Sequence, residues 1–258
     1  MASVFLRPAR LEDLPFVADL AAEAMVEDEL FAYLCPHRHE HYADFRLAFL
    51  RRLKTRLVTP GFAVMVAVEP CERQQGGLYG EKQIRGYAVW ERMGKSDKAA
   101  RWKHQNNGWW HGDPSCPHFT SICPALTALD PLERSLLALE SRYLSLVSPD
   151  RSVDPHRLEH YHHACLTDCF PFDNFPELWY LGNLAVAPAY QRRGIGRLLL
   201  EWGLDHARRE HVAVGLEASA KGVGLYERAG FRPVNAMELM PGIPITAMLW
   251  QDLQGDQS

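Results

Sequence analysis

Residues 178–196 read Leu-Trp-Tyr-Leu-Gly-Asn-Leu-Ala-Val-Ala-Pro-Ala-Tyr-Gln-Arg-Arg-Gly-Ile-Gly. Trp179 to Val186 is apolar enough for a buried strand, and Ile195, Leu198, Leu199 and Trp202 then recur at helical spacing. The stretch is therefore a strand that stops and turns into a glycine-opened helix. A helix N-terminus presents backbone N–H groups without intrahelical partners and the positive end of the helix dipole, so an anion such as phosphate is favoured there. Gly194 and Gly196 let the backbone approach that anion closely, and Arg192 and Arg193 add fixed positive charge. A strand feeding such a helix requires a sheet with helices packed on it.

The rest of the chain supplies that sheet. Val4–Arg7 reads as a first strand, followed by a helix through Leu14, Val17, Leu20 and Ala21 that ends near Met25. Residues 41–57 form a second amphipathic helix, and Glu27–Pro36 is read as an acid- and aromatic-rich joint between the two. Thr59-Pro60-Gly61 stops the second helix. Phe62–Val68 and Ile84–Trp90 read as an antiparallel hairpin whose linker includes Gln74–Gly77. Val212–Ser219 is a strand expected beside 178–186, and Phe231–Val234 and Ile245–Trp250 are the last two. Between the hairpin and the strand at 178 lie residues 92–176, too long for a structureless loop in a compact domain. In this region Asp130-Pro131-Leu132-Glu133 is a helix start ahead of Leu136, Leu137, Leu139 and Leu144, and Asp154-Pro155 is a second.

Composition removes several function classes. Of 258 residues, 47% are hydrophobic and 23% charged, as in ordinary globular chains. A net charge of −4 gives no basic field for nucleic acid. The N-terminus has no charged-then-apolar leader and no run is long enough to span a membrane, which predicts a cytoplasmic chain without a membrane partner. The six cysteines (35, 71, 116, 123, 165 and 169) then read as reduced thiols. His111, Cys116, His118 and Cys123, like His160, His162, His163, Cys165 and Cys169, lack paired Cys-x-x-Cys spacing, so no metal is expected.

Gln191-Arg192-Arg193-Gly194-Ile195-Gly196 resembles the pyrophosphate loop of the GNAT (GCN5-related N-acetyltransferase) superfamily, preceded by the similar strand end Leu184-Ala185-Val186-Ala187-Pro188. About thirty residues on, Gly224-Leu225-Tyr226-Glu227-Arg228-Ala229-Gly230-Phe231 is similar to a second family segment, and Glu217-Ala218-Ser219 before it resembles a small fungal-type branch. The resemblance covers residues 4–91 weakly and 178–250 well. It implies an α+β / α/β GNAT fold: a mixed central sheet of about six to seven strands flanked by helices. It also implies one domain over 1–258, with a large, mostly helical insertion at about 92–176 between strands three and four. Strands four and five should splay apart to admit a pantetheine arm.

By the same resemblance the chain is an acetyl-CoA-dependent enzyme transferring acetyl to the primary amine of a small molecule by direct transfer in a ternary complex. A protein lysine or N-terminal acetyltransferase and a non-catalytic acyl-CoA-binding module stand as alternatives, and a homodimer is left open. Leu184, Ala185, Val186, Gln191, Arg192, Arg193, Gly194, Ile195, Gly196, Arg197, Ser219 and Tyr226 are the implied coenzyme contacts, with Ser219 replacing the family's usual asparagine. Tyr226 is the implied general acid: an ordinary phenol keeps its proton at neutral pH, with a pKa of about 10. Strand four offers Tyr180, Gly182 and Asn183, none of which titrates usefully near neutrality. Glu177 is taken as the base, with Asp173, His162 and Glu29 as other candidates, and Glu29, Phe31, Tyr180 and Asn183 as acceptor contacts.

Overall fold

The computed structural model describes residues 4–70, 83–105, 135–137, 139–140, 143, 148–165, 169–240 and 242–252. The apolar runs pair into one seven-stranded mixed sheet. In chain order its strands are β1 (Phe5–Pro8), β2 (Phe62–Glu69), β3 (Gln83–Met93), β4 (Leu178–Val186), β5 (Ala213–Ser219), β6 (Arg232–Met240) and β7 (Ile243–Trp250). The spatial order is β1-β2-β3-β4-β5-β7-β6. Only β4 and β5 run parallel, from Leu178↔Ala213 to Leu181↔Leu216. The helices are α1 (Leu14–Met25), α2 (Glu29–Leu34), α3 (Tyr42–Val58), α4 (Asp97–Gln105), α5 (Pro155–Cys165), α6 (Ile195–Glu210) and α7 (Val223–Arg228). The fold is the mixed sheet that the resemblance implies.

Both faces of the central strands are covered, so they are apolar throughout rather than alternating with polar residues. On β2, Ala63, Met65 and Ala67 enter one core with Trp90, Trp179 and Leu199, Leu200 and Leu204 of α6. Val64, Val66 and Val68 enter the opposite core with Leu14 and Val17 of α1 and Phe45, Phe49 and Leu53 of α3. A third cluster covers the far end of that second face, where Phe170 packs with Leu178, Leu239 and Leu249.

Gly203 is where α6 meets the sheet most closely. A methyl group there would lie 2.3 Å from Cζ2 of the fully buried Trp90. Gly203→Ala gains helix propensity of about 1 kcal/mol but drives the indole out of its place, an overpacking cost of about 1–3 kcal/mol or more. A net loss of stability is expected. Urea unfolding checks it, and a midpoint equal to or above wild type would contradict the packing argument.

Several local expectations are revised. The joint at 27–36 contains a helix, α2, because the Asp28 carboxylate accepts from the N–H groups of Leu30 (3.0 Å) and Phe31 (3.3 Å). The last two strands are longer than the sequence pattern suggests and form a hairpin reversed at Gly242, whose φ is +82°. In the segment between β3 and β4, the Asp154 cap is present: its carboxylate accepts from His156 (3.0 Å) and Arg157 (3.2 Å) at the start of α5. The start at Asp130–Glu133, the linker at 74–77 and Cys71, His111, Cys116, His118 and Cys123 lie outside the described residues. Leu136 and Leu139 are exposed. Among the described residues no helix is long and apolar enough to cross a membrane.

Candidate active site

The site begins with a defect in strand pairing. Val89↔Asn183 and Trp90↔Leu181 are successive partners of β3 and β4, so Gly182 is an extra residue, a β-bulge. Pairing between β4 and β5 stops at Leu181↔Leu216, immediately before that bulge. Beyond it β4 stays bound to β3 as far as Val186, while β5 stays bound to β7 as far as Ser219. The two central parallel strands therefore part, and the β5-facing edge of β4 beyond Leu181 has no ladder partner among the described residues.

The turn after β4 sits at the mouth of this opening. Gln191 Nε2 donates to the Val186 carbonyl at 3.2 Å, tying the loop to the strand end. Arg192 and Gly194 adopt left-handed conformations (φ +63° and +84°), and Gly194 is the N-cap of α6. A side chain on Gly194 would meet nothing within 4 Å, so the backbone there is bare toward solvent. Around it, Arg192, Arg193 and Arg197 are exposed, and among the described residues none has a carboxylate within ion-pair distance. The Tyr190 ring stacks under Arg193 (4.8 Å) and Arg85 (3.8 Å), fixing their guanidiniums beside the loop. Ile195 is buried in the sheet–helix core and anchors the helix start rather than facing a ligand. These features fit a polyanionic ligand: a bare glycine, free amides and unpaired guanidiniums converge on one helix end.

Helix α7 closes one side of the opening. A methyl group on Gly196 would touch Leu225 at 3.6 Å and Leu184 at 3.7 Å, so α7, the α6 start and β4 are in direct contact. Gly222 is flanked by Tyr226 and Ser219, with positions for a methyl carbon 3.2 Å from Tyr226 Cε2 and 3.6 Å from Ser219 Oγ. The Tyr226 ring is 9% exposed and packs edge-on to Phe231. Burial pushes its pKa up to about 12, so the phenol is protonated throughout the physiological range.

On the second face of the sheet, the opening is lined by Tyr180, Asn183 and a residue that the sequence reading did not single out, Glu217. This glutamate interrupts the otherwise apolar β5 and is half-buried. Burial raises its pKa, opposed by hydrogen bonds from the Cys169 thiol, the Tyr180 hydroxyl and the Phe170 backbone N–H. The one visible signal was a carboxylate inside a buried strand run. Asn183 Oδ1 is buried without a hydrogen-bond partner. Leu30 and Tyr33 of α2 belong to both clusters on this face and border the opening. Phe31 does not: its ring packs on Phe45 (5.8 Å) and Phe49 (5.1 Å), away from β5. Glu29 is also outside, paired with Lys221 at 2.7 Å on the surface, where it fastens α2 to the loop after β5.

Glu177 requires correction. Arg92 Nη2 (2.7 Å), Ser96 Oγ (2.6 Å) and the backbone N–H groups of Lys95 and Ser96 (both 2.7 Å) all donate to its carboxylate. Burial opposes ionisation, but these bonds together bring its pKa down to about 2, too low to collect a proton near neutrality. It also precedes β4, six residues and about 20 Å of extended chain before Asn183. Glu177 is a structural anchor and not the base. Asp173 is exposed in a short turn, and the His162 side chain lies outside the described residues.

Comparison with known proteins agrees with this geometry. Residues 173–251 match the family model described as the acetyltransferase (GNAT) domain. That segment, under a third of the chain, holds the bulged strand, the arginine-rich loop, Glu217 and Tyr226, and over it the chain is similar to GNAT acetyltransferases. A 66-residue stretch is 38% identical to the "Probable acyltransferase SID5" of Ajellomyces capsulatus, covering 24% of this chain and 48% of that protein. A 55-residue stretch is 46% identical to the [ribosomal protein bS18]-alanine N-acetyltransferase of Escherichia coli (strain K12), covering 20% of this chain and 37% of that protein. The matches thus span half or less of those relatives. A solved structure titled histone acetyltransferase HPA2 and related acetyltransferase, from Corynebacterium glutamicum, shares the fold. Its TM-score is 0.55 at 19% identity, with both chains covered in full.

Proposed function

We propose that this chain is an acetyl-CoA-dependent N-acetyltransferase that acts directly on the primary amine of a small molecule. The observation that carries the reading is the bulge at Gly182. It opens β4 from β5 between two unlike ends, an arginine-rich helix N-terminus on one side and the half-buried Glu217 on the other.

Gln191–Gly196 and Arg197 would hold the coenzyme pyrophosphate, and the free edge of β4 at Leu184–Val186 would receive the pantetheine amides. When bound, acetyl-CoA supplies the acetyl group as an activated thioester. Glu217 takes a proton from the acceptor ammonium, leaving the lone pair that forms the new C–N bond. Its raised pKa suits it to that task, since a base is most useful when it titrates near working pH. Tyr226 gives its phenolic proton to the departing sulfur as the C–S bond breaks. Asn183 Oδ1, without a partner of its own, accepts from an N–H of the bound substrates.

Two measurements test this. Acetyl-CoA should raise the melting temperature, and thiol release should follow addition of a small primary amine. Stabilisation without turnover on any amine or peptide would indicate a binding module instead. Tyr226→Phe should lower kcat by about 10²-fold while leaving acetyl-CoA affinity nearly unchanged, checked by steady-state kinetics beside calorimetric titration. Unchanged kcat would remove the tyrosine from the reaction. A second reading, acetylation of a protein N-terminus, is favoured by the 46% identity over 55 residues to the bS18-alanine enzyme. Peptides in the amine panel decide between the two.

A further inference from the structure

The proton-transfer machinery accounts for Glu217 and Tyr226 but leaves unexplained a pair of arginines on the face of the sheet that carries Glu217. Arg52 and Arg56 stand four residues apart on α3, on one side of the helix. Arg52 lies 5.7 Å from the Phe49 ring centroid and 6.0 Å from that of Phe31, which holds it against the helix surface. Arg56 reaches inward, where its electrostatic neighbours are Tyr87, Glu91, Tyr180 and Arg52. Register puts Glu91 beside Tyr180, and the Tyr180 hydroxyl is bonded to Glu217. The inward guanidinium thus shares a neighbour with the proposed base.

Arg56 has neither a hydrogen-bond acceptor nor an ion-pair partner among the described residues, and Glu91 is beyond ion-pair distance. Burial lowers the pKa of Arg56 and raises that of Glu91, so both charges are poorly solvated. The guanidinium is half-buried, and a bidentate carboxylate is its best-matched counter-ion. Arg56 is thus a single guanidinium without a counter-ion of its own among the described residues. One carboxylate matches that single charge, whereas a phosphate monoester would bring about two negative charges.

We propose that the acceptor of this enzyme carries a carboxylate in addition to its amine, and that Arg56, supported by Arg52, binds that carboxylate while the amine faces Glu217. The inference rests on the acetyltransferase reading and narrows it to amino-acid-like acceptors.

The test uses the full chain, saturating acetyl-CoA and a panel of α-amino acids and straight-chain ω-amino acids, each beside its own carboxamide. Thiol release should favour the acids by at least tenfold in kcat/KM. Arg56→Gln should erase that preference by raising KM for the acids at least tenfold, with kcat and acetyl-CoA stabilisation retained. Arg56→Lys should recover part of the loss. The proposal is overturned if carboxamides or other acid-free amines are used as well as the acids, or if Arg56→Gln affects acids and carboxamides alike. It is also overturned if no acid is acetylated and none adds to the acetyl-CoA-induced thermal shift. Failure of the parent reading looks different: acetyl-CoA then neither stabilises the protein nor releases thiol with any amine.

Discussion

Glu217→Gln is expected to lower kcat by about 10²–10⁴-fold, the usual contribution of a positioned general base, while leaving the protein at least as stable as wild type. The two halves follow from one observation. Burial raises the carboxyl pKa of Glu217, with hydrogen bonds from Cys169, Tyr180 and Phe170 opposing it. A folded-state pKa above the unfolded value means that the fold binds this proton more tightly than the unfolded chain does. The stability contributed by that preference is complete below the unfolded pKa and is lost as pH rises through the folded one. At neutral pH the ionised glutamate is therefore a local cost, and a neutral amide that still accepts hydrogen bonds removes it. Activity runs the opposite way: a base works only when deprotonated, so wild-type kcat/KM should rise with pH through the Glu217 pKa. The variant should lose that ascending limb. Thermal melts at pH 7 and a pH–rate profile check both. A variant that kept wild-type kcat would exclude Glu217 from proton transfer, and one that simply unfolded would recast it as a structural residue.

The parts of this site visible in the sequence are those encoded locally. Gln191–Gly196 could be read because the anion cradle, helix start and glycine conformations all lie within six consecutive residues, and Tyr226 because it follows at a set interval in a second short segment. Gly182 was passed over because a bulge is defined by its partner strand: one extra residue opposite Val89 and Trp90 has no signature in β4 alone. Glu217, the proposed base, was passed over for a related reason. Its raised pKa depends on Cys169, Phe170 and Tyr180, which chain connectivity separates from it by more than thirty residues. Arg56 belongs to a helix that the sequence shows only as amphipathic, and its half-burial depends on the sheet beneath α3. The choice of Glu177 failed on the same ground. A carboxylate next to β4 is the right residue type near the right strand, but it stands at the wrong end and is already bonded to Arg92, Lys95 and Ser96.

That network supports the largest expected effect on stability. The Arg92 side chain is fully buried and bridges two carboxylates, with Nη2 2.7 Å from Glu177 and Nε 2.7 Å from Glu210. It also donates to the Met93 carbonyl. Glu210, at the end of α6, further accepts from Trp179 Nε1 at 3.3 Å. One guanidinium thus joins the end of β3, the start of β4 and the last turn of α6. Arg92→Ala leaves two partly buried carboxylates facing each other without a cation, which should cost about 3–5 kcal/mol. Arg92→Lys cannot reproduce the fork and should recover only part of the loss. Glu177→Gln should cost less, because Ser96 and Lys95 can still donate to the amide oxygen. The pH dependence separates this network from Glu217. A carboxylate whose folded pKa is lowered contributes stability that is complete above its unfolded value, near 4.5, and is lost as pH falls toward its folded value of about 2. Wild type should therefore lose stability across that acid window, and Glu177→Gln should show a shallower loss there. Urea titrations from pH 7 down to pH 3 measure the difference, and parallel curves for the two proteins would show that Glu177 holds no such linkage.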